Sequence, residues 1–303
     1  MKSKWLATTL VAAVAAGALV RAQQGVAPST FPLSPTVRAT GQGVTAAYEG
    51  WFYNKDGSIS LLVGYFNRNQ KQELDIPIGP NNRIEPGGPD FGQPTHFLPG
   101  RQYGVFAIKV PKDFGTKQLT WMLTVNGQTN AIPMHTKADW VVEPFEDAGS
   151  KNTPPVVRFQ PDGKAFTGPP AGVATTLTAT TAEPLTLTAW AADEPAKLNV
   201  VAPTPRRARG SSDAAVPVPP PLSIAWSKYR GPGTVTFAAV KPPIDKDAGG
   251  KVVTTATFSA PGEYLLRAQL NDRSGDGGSG FQCCWTNAHV AVTVRASATS
   301  TEK

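Results

Sequence analysis

Apolar and polar residues alternate along most of this chain. In SISLLVGYFN, Ile59, Leu61, Val63 and Tyr65 lie two apart and share one face of an extended strand. Upstream, AYEGWFY is joined to it by NKDG, a turn whose glycine tolerates positive φ, so the pair predicts a hairpin. RQYGVFAIKVP resumes the alternation, with Phe106, Ile108 and Val110 on one side. QLTWMLTVNGQTNAIP reads as a second hairpin around Asn126-Gly127, with Leu119, Trp121, Leu123 and Val125 facing one way. Between these segments, residues 79–100 are rich in proline and glycine and predict no regular element. Ile84, Phe91, Phe97 and Leu98 are available to pin that loop to a core. A period of two with no amphipathic helix predicts an antiparallel β-sandwich over residues 44–147.

A polar stretch follows, with a linker expected at 148–155. A second set of strands is expected near 156–159, 174–179, 185–192, 222–228, 234–239, 252–258 and 264–270, and Val290, Val292 and Val294 mark a final one. That number of short alternating strands fits an immunoglobulin-like sandwich over 156–295, with Trp226 as its buried core tryptophan. Residues 196–220 are rich in proline, alanine and arginine, cannot support a packed core, and are expected to form an extended insertion. The fold class is therefore all-β, two antiparallel β-sandwich domains in tandem.

PLSIAWSKYRGPGTVTF, then TTATFSAPGEYLLRAQLND, then HVAVTV resembles the polycystic-kidney-disease (PKD) type of Ig-like domain and its bacterial surface-protein relatives. The resemblance covers roughly residues 185–294. It departs at the insertion after Glu194 and at the enlarged GDGGSGFQCCWTN loop. It implies an extracellular spacer, adhesion or carbohydrate-associated module, with no shared catalytic residues. The first domain resembles no family that we can name.

Composition agrees with strands and turns: Gly and Pro number 29 each, and charged residues make up only 17%. At the N-terminus, MKSK precedes a 16-residue uncharged run, Trp5 to Val20, and Val20-Arg21-Ala22 then marks the cleavage site of a signal peptide, cut after residue 22. The run is shorter than the roughly 20 residues a spanning helix needs. Residues 23–43 are expected to be a loose arm, residues 296–303 a disordered tail, and the location secreted or periplasmic, without membrane insertion after cleavage. The net charge of +7 falls to +4 once Lys2, Lys4 and Arg21 leave, and Arg206, Arg207 and Arg209 share one loop. The remainder is almost neutral, which argues against a nucleic-acid-binding face.

Local motifs are weak. GDGGSG (residues 275–280) matches G-x-G-x-x-G, yet strand-forming residues follow it where a dinucleotide site needs a helix. Asp245 with Asp247, and Asp272 with Asp276, do not match a calcium loop and read as solvated turns. His96, His135 and His289 are scattered, with no nucleophile elbow and no zinc-protease motif. No catalytic residue, cofactor or metal is expected. Trp51, Tyr53, Tyr229 and Trp285 are candidate ligand-stacking aromatics, set against a core role for the same rings.

Cys283 and Cys284 are the chain's two cysteines, and they are adjacent. Neighbouring strand residues point to opposite faces, and adjacent trans Cα atoms lie closer than ordinary disulfides require. Exported thiols nevertheless tend to oxidise. Three readings stay open: a vicinal disulfide, two reduced cysteines with at least one buried, or intermolecular pairing or metal capture. The functional expectation is a non-enzymatic binding or spacer module contacting carbohydrate or another surface protein. The competing expectation is a secreted hydrolase with a site at the domain interface.

Overall fold

The computed structural model describes residues 38–149, 151–194, 222–272 and 283–297. The expected signal peptide, most of the expected arm, the Arg-rich insertion, the GDGGSG loop and most of the expected tail lie outside the described residues. One compact unit spans Arg38–Lys303.

The first sandwich contains β1 (Val44–Tyr53), β2 (Ile59–Asn67), β3 (Leu74–Asp75), β4 (Asn82–Glu85), β5 (His96–Phe97), β6 (Gly100–Val110), β7 (Leu119–Val125) and β8 (Gln128–Met134). One sheet has the order β1-β2-β6 and the other β4-β7-β8, with β3 and β5 forming a short ladder. The alternation places Ile59, Leu61, Val63 and Tyr65 in one buried cluster with Phe106, Ile108, Val110, Leu119, Trp121 and Leu123. Both expected hairpins form, the second with Asn126 and Gly127 at positive φ, as a tight two-residue turn requires.

Residues 79–100 differ from the expectation of no regular element, since β4 and β5 lie within them. β4 is a sheet edge and pairs on one side only, so the nearby prolines interrupt no ladder there. Asn82 anchors the segment. Its amide donates to the carbonyls of Ile76 (2.9 Å) and Pro94 (2.8 Å) and accepts from Trp121 Nε1 (2.9 Å). Ile84 and Phe97 are buried in the first core and Phe91 packs against it.

The second sandwich contains β9 (Val156–Arg158), β10 (Val173–Thr180), β11 (Leu185–Ala192), β12 (Ser223–Arg230), β13 (Val235–Phe237), β14 (Lys251–Phe258), β15 (Gly262–Asn271) and β16 (Trp285–Arg295). Its sheets run β10-β16-β15-β12 and β13-β14-β11-β9, with β10 parallel to β16. Taken in chain order, this is the immunoglobulin arrangement, an ABED sheet facing a GFC sheet extended by one strand. Trp226 lies in the core between them with Leu187, Phe258, Leu266, Val290 and Val292.

β16 is buried on both faces from Trp285 to Val290, and β15 is buried on both faces around Arg267. Leu266, Ala268, Ala288 and Val290 point into the second core. Trp285, Asn287, His289 and Arg267 occupy the alternate positions and are also buried. They meet the first sandwich. Arg267 Nε donates to Asn287 Oδ1 (2.7 Å) and its Nη1 to Gln102 Oε1 (2.9 Å). Asn287 Nδ2 donates to the carbonyls of Gly104 (2.9 Å) and Tyr103 (3.2 Å). Tyr229 of β12 joins the first core cluster and donates its hydroxyl to the Gly92 carbonyl at 2.5 Å.

The Trp285 ring rests on the backbone of Gly104, where a Cβ would stand 1.7 Å from its Cη2 and where φ is +49°. Gly104→Ala is therefore expected to lower unfolding stability by about 3 kcal/mol through displacement of that ring. Urea unfolding of the protein measures it, and an unchanged midpoint would show that the contact is dispensable.

Candidate ligand-binding site

The segment that follows β8 folds back over β1. It makes a single 3-10 turn at Ala138–Trp140, and the Val142 N–H donates to the Trp51 carbonyl at 3.0 Å. Trp51 Nε1 donates to the Lys137 carbonyl at 2.8 Å, so Trp51 is the buried anchor of this arm. Gly50 makes the approach possible: a Cβ there would lie 2.5 Å from both the Trp140 carbonyl oxygen and Val142 Cγ1.

The arm, β1 and β6 enclose an open pocket of about 500 Å³ lined by Tyr48, Glu49, Arg101, Tyr103, Asp139, Trp140, Val141 and Val142. Trp140 stacks on Tyr48 with centroids 5.2 Å apart and an 18° interplanar angle, and it remains 42% exposed. Tyr48 is fixed in turn by donating its hydroxyl to the His135 carbonyl. Burial pushes that phenol well above its usual range, which keeps it a neutral donor. On the opposite wall, the Arg101 guanidinium lies 4.3 Å above the Tyr103 ring.

Glu49 forms the buried floor. One oxygen accepts from Arg101 Nη2 at 2.6 Å and the other from the Gly104 N–H at 2.8 Å. Burial raises its pKa to about 6, against the lowering effects of Arg101 and the Gly104 amide. Gly64 provides the space, since a Cβ there would lie 2.2 Å from Glu49 Oε1. With both oxygens occupied, Glu49 orients Arg101. The arrangement presents an aromatic face beside fixed polar groups, which suits a ligand with one apolar and several hydroxylated edges.

The sequence-predicted aromatics fall elsewhere. Trp51, Tyr229 and Trp285 are buried, and as ligand-stacking candidates they are corrected: the arm covers Trp51, and the contact between the sandwiches covers the other two. Tyr53 is 66% exposed and stands edge-on to Trp51, outside the pocket lining. Sequence reasoning missed Tyr48, Glu49, Arg101, Tyr103 and Trp140, which come from three segments. The available signal was Trp140 itself, a large aromatic in a stretch without strand alternation.

Cys283 and Cys284 are joined by an S–S bond of 1.91 Å across a cis peptide, and both are buried. They directly precede Trp285, and Cys284 Sγ lies 3.4 Å from the Asn152 carbonyl oxygen.

A second open groove of about 530 Å³, lined in part by Asp75, Thr95, Lys228 and Arg230, follows the meeting of the two sandwiches. Its charges are engaged within the protein. Lys228 Nζ bonds Asp75 Oδ1 (2.9 Å) and the Gly233 carbonyl (2.9 Å), and Arg230 forks onto Asp90 (2.7 and 3.0 Å). His96 lies between Asp75 (2.9 Å) and Glu73 (3.1 Å). Hydrogen bonding to His96 chiefly lowers the Glu73 pKa. At Asp75 burial acts upward, and the bonds from Lys228 and His96 outweigh it. His289 packs on Tyr229 at 4.3 Å, and burial lowers its pKa to about 3, so it is neutral. Among the described residues no group of three or more His, Cys, Asp or Glu side chains is placed to hold a metal ion. Among them, too, no helix is long and apolar enough to cross a membrane.

No protein-family model matches the chain, and no curated protein matches it significantly. Among solved structures, domains 4 and 5 of the S-layer protein SbsC align at 11% identity over 83% of this chain and 97% of that one, with a TM-score of 0.21. The D00-D0 domain of intimin aligns at 13% identity over 84% and 100%, with a TM-score of 0.25. Domains 1–6 of SbsC align at 11% identity over 88% and 29%, with a TM-score of 0.23. Similarity of that degree carries no argument about this chain, and the sandwich assignment rests on strand order.

The raised Glu49 pKa has a signed consequence. An acid whose folded pKa exceeds its unfolded value stabilises the fold below the unfolded pKa and loses that contribution as pH rises through the folded one. With a shift from 4.5 to about 6, wild-type stability should fall by up to about 2 kcal/mol across that window relative to Glu49→Gln. Urea unfolding of both proteins at about pH 4 and about pH 7 measures the difference, and equal slopes would contradict it.

Proposed function

We propose that this chain is an exported, non-enzymatic binding module of two β-sandwich domains, 44–147 and 156–295, the second of the PKD type. It acts outside the cytoplasm, secreted or periplasmic, and engages extracellular carbohydrate through the Trp140 pocket. The observation that carries this reading is the exposed Trp140 ring, held rigid on Tyr48 beside the Glu49–Arg101 pair. A pyranose presents an apolar ring face and a hydroxylated rim, which match the indole and the guanidinium respectively. Arg101 and Glu49 compensate each other in charge, and with Asp139 also in the lining the pocket suits an uncharged sugar over an anionic one. Export is supported by the signal-peptide pattern of residues 1–22 and is consistent with an oxidised cysteine pair.

The test is sedimentation of the exported chain with insoluble cellulose, chitin and peptidoglycan, alongside titration with soluble cello-, xylo- and chito-oligosaccharides. Wild type is expected to bind one of these classes, and Trp140→Ala to bind it at least about tenfold more weakly with unchanged circular dichroism. Absence of binding to every polymer and oligosaccharide removes the carbohydrate reading and leaves a protein-contacting spacer.

A further inference from the structure

We infer that Trp285, seated by the Cys283–Cys284 cystine, is a positioning residue for the Trp140 pocket, so that a residue of the second sandwich sets the shape of a site on the first. The inference rests on the reading of that pocket as a binding site and adds the element that controls it.

The indole of Trp285 shares an apolar cluster with Phe52, Leu62 and Val142, and Tyr103 packs against the same cluster. Val142 and Tyr103 both line the pocket, one in the arm and the other beneath Arg101. Trp285 therefore backs two walls that approach each other from separate segments. Its ring also lies on Gly104, whose N–H holds Glu49 and whose carbonyl, with that of Tyr103, receives Asn287. Displacing the ring removes support from the arm, from Tyr103 and from the Glu49 floor together.

Trp285 Nε1 has no hydrogen-bond partner among the described residues, so packing and the preceding backbone hold the indole. The preceding backbone is the cystine. Both cysteines are buried, and their sulfurs lie against the Asn152 carbonyl, so residue 285 enters β16 from a fixed point. Trp285 is not part of the pocket lining and acts through Val142, Tyr103 and Gly104.

Hydrogen exchange on the exported chain tests this without a ligand, comparing wild type, Trp285→Ala, Trp285→Phe and the double variant Cys283→Ser/Cys284→Ser. Trp285→Ala is expected to speed exchange about tenfold in residues 137–143 and 102–105 while β11 and β14 stay protected. Trp285→Phe should recover most of the protection, and the double serine variant should lie between wild type and Trp285→Ala. Faster exchange across both sandwiches alike, or no change in 137–143, overturns the positioning role. If Trp285→Ala does not fold, the phenylalanine and serine variants decide by the same local comparison. Alkylation without reduction should add no mass to the wild type, and two additions overturn the cystine's part. Any sugar bound by wild type is expected to bind Trp285→Ala about tenfold more weakly. A failure of all sugars to bind counts against the pocket reading alone, because the exchange pattern still reports on Trp285.

Discussion

The seating of the Trp285 indole on Gly104 is the contact on which the arrangement of this protein depends. A large ring from the last strand of one sandwich occupies space that is available because the other sandwich has no side chain there. Around it part of the outer face of β15 and β16 becomes interior: Arg267 and Asn287 are covered and bonded to Gln102, Tyr103 and Gly104, and His289 is covered and packs on Tyr229. Burying an arginine is costly unless its donors find acceptors, and here they come from both sandwiches. The contact is therefore specific in register as well as apolar.

Two polar regions flank this contact and behave differently. Along the groove, Lys228, Arg230 and His96 are matched by Asp75, Asp90 and Glu73, an arrangement that ties β12 to the loops of the first sandwich. In the pocket, Glu49 and Arg101 also pair, yet beside them an aromatic surface is left open to solvent. The groove uses its charges to hold the protein together. The pocket holds Tyr48, Glu49 and Arg101 in place while leaving the Trp140 ring open, the difference on which the proposed binding role rests.

The alternation in SISLLVGYFN, RQYGVFAIKVP and QLTWMLTV made the first core legible, because an inward face two residues apart is written locally. The turn at Asn126-Gly127 was legible for the same reason. β4 was not: its neighbouring prolines look prohibitive until it is seen to be an edge strand pinned by Asn82. The stacking aromatics were misplaced because exposure is not a local property. Trp51 has the same strand context as Tyr53, but an arm that begins more than eighty residues later covers one and leaves the other bare.

The sequence alone determined an all-β chain, the position of nearly every strand in the second sandwich, and Trp226 as its core tryptophan, since each follows from periodicity and turn chemistry within a few residues. The tertiary structure alone decided that Arg267, Asn287 and His289 on the polar side of β15 and β16 are buried and that Trp285 belongs to an interface. It also decided that Tyr48, Glu49, Arg101, Tyr103 and Trp140 form one pocket. Those outcomes depend on which surfaces meet, and a pattern of period two states which residues share a face without stating what covers it.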